Sequence, residues 1–200
     1  MDATVLVALI TAVIGPFVTL YTKDWIDSKK KKDVMETNVS HYVQIGDQLE
    51  SLMRKMRADR VWMLQFHNGG NFYPTGKSIQ KFSIFYEAVS NPSVPRVQHM
   101  YQNIPVSIFY KAFDEAQKTG EILIKDRLDN KIPTYGLKYA LEQSNTRSSY
   151  LFKITTLGGK FTGAIAVSYT EATELSEEDL DDIRREVSAI GGMLSAYLKS

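Results

Sequence analysis

The residues able to carry chemistry are few and scattered. The chain has three histidines, His41, His67 and His99, and no cysteine, which removes thiolate nucleophiles, disulfides and Cys-based metal sites together. The histidines have no metal-site spacing, and neither a nucleophile elbow nor a paired-carboxylate motif is present. The sequence therefore predicts a non-enzyme with no catalytic residues, no metal and no cofactor. Glu177, Glu178, Asp179, Asp181 and Asp182 form an acidic cluster, but at a helix start such carboxylates complement the helix dipole, so they read as a solvated cap. Gly70 and Gly76-Lys77-Ser78 imitate a phosphate-binding loop. Five residues separate the two glycines where that motif needs four, Pro74 interrupts, and Ser78 leads into a period-two aromatic run instead of a helix. The carboxylate to watch is Glu87. Following Phe85-Tyr86, it is either drawn partly inside, or it caps a loop or pairs with a lysine.

The bulk composition names no partner. A net charge of +1 over 200 residues gives no electrostatic reason to expect a nucleic-acid surface, and the length holds one domain of roughly 140–170 residues plus appendages.

The first appendage is Ala3 to Thr22, ATVLVALITAVIGPFVTLYT, which carries no charge. At 1.5 Å per residue it covers a hydrocarbon core of about 30 Å and reads as a transmembrane helix. A cleaved signal peptide is disfavoured because no Lys or Arg precedes the apolar run. Gly15-Pro16 predicts a kink, with Thr11 and Thr19 placed to satisfy freed carbonyls; the span either anchors the chain or lines a pore. Lys23 and Lys29, Lys30, Lys31 and Lys32 follow it while only Asp2 precedes it. The positive-inside rule then puts the C-terminal bulk in the cytoplasm, with Lys29 to Lys32 at the membrane surface against anionic lipid. The expected divisions are a transmembrane anchor over residues 1–23, a basic juxtamembrane segment and linker helix over 24–58, and a domain over 59–200.

These residues must be positioned by a small number of elements. From Asp33 to Arg57, Met35, Val39, Tyr42, Gly46, Leu49, Met53 and Met56 recur at three and four, a heptad seam widened by Ile45 and Leu52. This helix either relays a signal from membrane to domain or simply packs. Arg60 to Phe66 alternates Trp62, Leu64 and Phe66 against Val61 and Met63, and Lys81 to Tyr86 alternates Phe82, Ile84 and Tyr86 against Ser83 and Phe85. The two predict a hairpin around a long loop. A loop follows over Ser90 to Pro105, then a helix over Val106 to Lys118 ended by Gly120, and a strand over Glu121 to Ile124. Thr134 caps a short helix running through Gln143, and Tyr150 to Ile154 pairs with Phe161 to Tyr169 across Gly158-Gly159. The last helix has Ser176 as N-cap, Asp179 three residues on, and a Leu175–Leu180 staple. Its seam is Leu180, Ile183, Val187, Ile190, Leu194 and Tyr197, and Gly191-Gly192 inside it predicts a close helix approach.

The closing stretch resembles a known family. The hairpin Gly158-Gly159-Lys160-Phe161-Thr162-Gly163-Ala164-Ile165-Ala166-Val167, followed by Leu175-Ser176-Glu177-Glu178-Asp179-Leu180, is similar to the ending of GAF domains, the PAS-related sensor modules. The resemblance covers residues 35–198 in element order. It implies an α/β (α+β) fold: a central antiparallel sheet, helices on one face and the terminal helices bundled on the other. The order of one membrane helix, a connecting helix and an α/β domain also resembles the holin of T-even phages, whose globular domain is however periplasmic. A pocket in a GAF-like fold would lie between the sheet and its covering helices, lined by His67, Asn68, Tyr86, Glu87, Tyr135 and Phe152. Two functions follow: a membrane-tethered regulatory module responding to a small molecule or protein regulator, or a membrane-permeabilising protein whose domain sets timing. The two seams together predict a parallel homodimer through Leu49, Met53, Met56, Ile183, Val187, Ile190 and Leu194, on the reasoning that one small sheet cannot bury both. Asp at Ile183 and Leu194 is then expected to give a folded monomer.

Overall fold

The computed structural model describes residues 12, 15–129, 132 and 135–197. The chain divides into two compact units, Met1–Val43 and Gln44–Ser200. Helix α1, Gly15–Lys55, begins in the first unit. There Thr19 Oγ1 donates to Gly15 O at 2.8 Å and to Pro16 O at 2.9 Å, the same back-bond to the preceding turn that Thr22 makes to Val18 and Thr19, and not to the carbonyl of Ala12 that the missing Pro16 N–H frees. Most of the expected span, residues 1–11, 13 and 14, lies outside the described residues, as do the side chains of Lys29 to Lys32. Among the described residues no helix is long and apolar enough to cross a membrane.

In the second unit the strands are β1 Arg60–Asn71, β2 Ser78–Val89, β3 Ile104–Pro105, β4 Glu121–Ile124, β5 Ser148–Thr155 and β6 Phe161–Tyr169. They form one antiparallel sheet in the order β3-β2-β1-β6-β5-β4. A 3₁₀ turn at Val106–Phe109 leads into α2, Tyr110–Thr119, then come α3, Tyr135–Gln143, and α4, Glu177–Tyr197. Gly120 ends α2 in the left-handed region at φ 90°, its N–H bonded to Ala116 O at 3.0 Å. The α4 start is a reciprocal capping box. Asp179 N–H donates to Ser176 Oγ at 3.1 Å, and Ser176 N–H to Asp179 Oδ2 at 3.1 Å. The expected Thr134 cap of α3 lies outside the described residues.

Each sheet face buries its own core. On one, Val61, Met63, Tyr150, Phe152, Ile154, Ile165 and Val167 pack with the end of α1 and with α4. On the other, Leu64, Phe82, Ile84 and Ala164 meet Phe109, Phe113, Ala116 and Leu141 from the 3₁₀ turn, α2 and α3. The first face corrects the expected dimer seam. Leu49, Met56, Ile183, Val187, Ile190 and Leu194 are all buried within this chain, and Met53 is partly buried against the same cluster. One small sheet does bury the α1 seam from Ile45 to Met56 and the α4 seam from Leu180 to Leu194, because the two helices lie side by side on a face already made of Ile, Val, Phe and Tyr. Asp at Ile183 or Leu194 therefore enters a core, not an interface.

A second correction concerns β2. Met63 pairs with Tyr86 but Leu64 with Ile84, so Phe85 is an extra, bulged residue and stays exposed. The bulge reverses the expected alternation after Ile84. Tyr86 moves to the helix-pair face, and Glu87, opposite Trp62, moves to the face covered by α2 and α3. Gly191 shows a third difference: a Cβ there would sit 2.9 Å from Thr155 O, so the close approach is of α4 to strand β5, not to another helix.

Candidate functional site

Between the sheet and the 3₁₀ turn, α2 and α3 lies a cavity of about 80 Å³. Its floor is Trp62, Leu64, Phe82, Ile84 and Leu151; its roof is Phe109, Ala112, Phe113, Leu137, Ala140 and Leu141. Small side chains leave the space. Ala112 and Ala140 stand where larger residues would close the roof, and Ser149 and Ser168 do the same on the floor. Phe82 meets Phe109 and Phe113 edge to face at 5.7 and 5.4 Å, which fixes that wall.

One end of the cavity is polar, and Arg60 organises it. Its guanidinium is buried, with Nη1 donating to Thr146 Oγ1 at 3.0 Å and Nη2 to Ser144 O at 2.9 Å and Pro95 O at 2.5 Å. Ser144 Oγ and Thr146 Oγ1 stand 2.8 Å apart, and Ser149 Oγ is 3.3 Å from Ser168 Oγ. Burial pulls the Arg60 pKa below its usual value, with Glu87 and then Asp59 pulling the other way. The neighbouring Tyr101 phenol is pushed above its usual pKa, chiefly by burial and next by Tyr139. It stays a neutral wall at ordinary pH.

Glu87 completes the polar end from behind. Oε1 accepts Val97 N–H at 2.7 Å and Oε2 accepts Gln98 N–H at 3.2 Å, and Oε1 lies 3.5 Å from Arg60 Nε. It is thus both buried and a loop cap, its cation an arginine instead of a lysine. Arg60 Nε has no hydrogen-bond partner, so at 3.5 Å the pair is an ionic contact only.

The six residues expected to line a pocket are not gathered in one place. Glu87 backs the cavity through Arg60. Tyr135 begins α3, whose Leu137, Ala140 and Leu141 line the cavity, while its own side chain lies outside the described residues. Tyr86 and Phe152 pack into the opposite core. His67 also turns to that side, its Nε2 2.9 Å from Ser83 Oγ, and Asn68 is exposed, accepting from Ser78 Oγ at 3.3 Å and Gln80 Nε2 at 3.2 Å. Sequence reading passed over Arg60, Ser144, Thr146, Ser149 and Ser168. Arg60 carried a usable signal: a charge opening a strand of otherwise bulky residues requires a buried acid, and Glu87 is such an acid on the next strand. The serines and threonine gave none, since nothing local marks a buried hydroxyl.

Among the described residues no cluster of three or more His, Asp or Glu could hold a metal. The site can enclose a small apolar molecule and orient one polar group against hydroxyls and a guanidinium whose charge Glu87 offsets.

No family model matches the chain, and no curated protein matches it. Solved structures do. A phycocyanobilin-bound GAF domain from a cyanobacterial phytochrome aligns with a TM-score of 0.62 at 15% identity, over 83% of this chain and 94% of that one. The blue-light absorbing form of the PixJ GAF domain of Thermosynechococcus elongatus aligns at 0.61 and 16% identity, over 78% and 86%. A far-red cyanobacteriochrome photoreceptor aligns at 0.60 and 13% identity, over 87% and 95%. At these identities the likeness is one of fold, and the fold is GAF-like. The resemblance to a phage holin finds no support among them.

Proposed function

We propose that this chain is a non-enzymatic regulatory module that binds a small, largely apolar molecule in the cavity under α2 and α3. The cavity carries this reading: apolar walls, a few convergent polar groups at one end, and a place in the sheet-and-helix layers that suits ligand capture. One of the similar domains is phycocyanobilin-bound, but a bilin does not suit this site. The cavity is about 80 Å³, against roughly 300–1,000 Å³ for sites of drug-sized ligands, and the chain has no cysteine thiol to tie a ligand covalently. An apolar cavity of about 150 Å³ holds benzene, so a ring of that size asks the roof to give.

Occupancy has a route to the rest of the chain through Arg60. Its neighbour Asp59 bonds Thr170 N–H and Oγ1, both at 2.7 Å, and Tyr169 Oη donates to Met56 O at 2.9 Å, so the β1 start and the α1 end share one network. A ligand that moves Arg60 shifts the helix leading away from the domain. On the sequence, Ala3 to Thr22 is the proposed tether, with the domain on the cytoplasmic side of Lys29 to Lys32. A homodimer in this scheme uses the exposed part of the α1 seam, Val39 and Tyr42, with the exposed Val43 beside it.

The test is a melting series with benzene, phenol and indole. A ligand at 100 times its Kd adds about 2.7 kcal/mol, a clear rise in melting temperature. Ala140→Leu should fill the cavity and abolish that rise while leaving the protein folded. No rise with any of the three sinks the cavity reading. A reporter fused after Ser200 tests the tether, and activity outside the cell overturns the orientation.

A further inference from the structure

The end of the sheet away from Arg60 carries a surface that the cavity does not use. β6 pairs with β1 only as far as Gly163 opposite Gln65, so β1 and β2 run on together as a two-stranded arm. Six more residues of β1 carry it about 20 Å further. At its tip Phe72 is 54% exposed and Tyr73 98%. The tip is a built turn: Phe72 N–H donates to Lys77 O and Gly76 N–H to Phe72 O, both at 2.8 Å, so the rings are presented, not loosely hung. At the same end the β5–β6 turn leaves Leu157 77% exposed.

The arm itself carries charge of one sign. From Val61 to Tyr86 there is no Asp or Glu, while Lys77 and Lys81 flank the tip and Lys160 sits on the β5–β6 turn. The acidic start of α4 lies at the other end. Lys55 Nζ meets Asp182 Oδ2 at 2.6 Å there, so α1 and α4 run antiparallel and Gln44, where this unit begins, lies at the arm's end. In the sequence, Lys29 to Lys32 lie in the stretch that leads into Gln44.

We propose that this end of the domain faces a membrane, the arm settling Phe72 and Tyr73 into the headgroup layer of an anionic bilayer while Lys77, Lys81 and Lys160 meet its phosphates. Aromatic rings at an interface with lysines beside them are what that layer favours, and a stretch free of carboxylates meets no repulsion from it. The surface stands apart from the cavity and does not depend on the ligand reading.

The chain has no cysteine, so Thr75→Cys at the tip and Leu128→Cys, exposed at the far end, each give a single spin-label site. The full chain is reconstituted with vesicles of phosphatidylcholine alone or mixed with phosphatidylglycerol, and label accessibility to oxygen and to a water-soluble nickel complex is read. With phosphatidylglycerol the label at 75 should shift from nickel to oxygen contact, and the label at 128 should stay in water. Replacing Phe72 and Tyr73 by Ser, or Lys77, Lys81 and Lys160 by Glu, should lose the shift without altering the melting temperature. A label at 75 that stays nickel-accessible on vesicle-bound chain overturns the arm proposal alone. A chain that leaves the vesicles entirely overturns the tether as well.

Discussion

Arg60 Nε and Glu87 Oε1 stand 3.5 Å apart on neighbouring strands, with 2% and 0% of their side chains exposed. The bulge at Phe85 makes the pair, since unbroken alternation would send Glu87 to the opposite face. Glu87 gives its hydrogen-bonding capacity to Val97 and Gln98, and Arg60 gives its own to Ser144, Thr146 and Pro95, so the pair joins the 90–103 loop to the α3–β5 turn.

Breaking this pair from one side should be worse than removing both charges. Glu87→Ala or Arg60→Met leaves an uncompensated buried charge, at about 3–5 kcal/mol each. Arg60→Met with Glu87→Leu should lose clearly less than the sum. Urea unfolding of the four proteins in a double-mutant cycle decides it, and additive losses would show that the contact at 3.5 Å contributes nothing.

The adjacent glycines of α4 should respond with opposite signs. A Cβ at Gly191 meets Thr155 O at 2.9 Å, whereas one at Gly192 meets nothing within 4 Å. Gly192→Ala should stabilise by about 1 kcal/mol through helix propensity. Gly191→Ala should destabilise, because the backbone of β5 cannot move aside cheaply. Thermal melts of the two variants give the answer.

Ile183 tests where the α4 seam is spent. Ile183→Ala should cost about 2–5 kcal/mol, and Ile183→Asp should abolish cooperative unfolding altogether. Recovery of a well-folded Ile183→Asp protein by circular dichroism would restore an exposed seam. Residues 44–200 should sediment as a monomer.

Acid should release one clamp on the α3–β5 turn. Arg147 Nε and Nη2 donate to the two Asp126 carboxylate oxygens at 2.6 and 2.8 Å, and with the Leu128 N–H they pull that carboxyl from 3.8 to about 2. A carboxyl depressed in the folded state stabilises fully above its unfolded pKa and loses that effect as pH falls through its folded value. The stability gap between wild type and Asp126→Asn should hold above about pH 5 and close between about pH 4 and 2. A gap unchanged at pH 2 would assign the pair no role.

Local pattern sufficed for everything that depends on nearest neighbours in sequence. The alternation of Tyr150, Phe152 and Ile154, the Ser176–Asp179 box and the stop at Gly120 each specify their element through backbone chemistry a few residues long, and the final hairpin and helix resembled the fold that the structure has. The seams of α1 and α4 were legible as seams. What they press against was not, because an apolar stripe reads the same whether it meets a sheet or a second chain. The site was hidden for a related reason. One extra residue at Phe85 inverts the faces of everything after it, moving Tyr86 out and Glu87 in, and no local preference of Phe85 announces a bulge. Arg60 then finds Ser144 and Thr146 more than eighty residues away, a meeting that only the folded sheet, closing β1 against β6, can arrange.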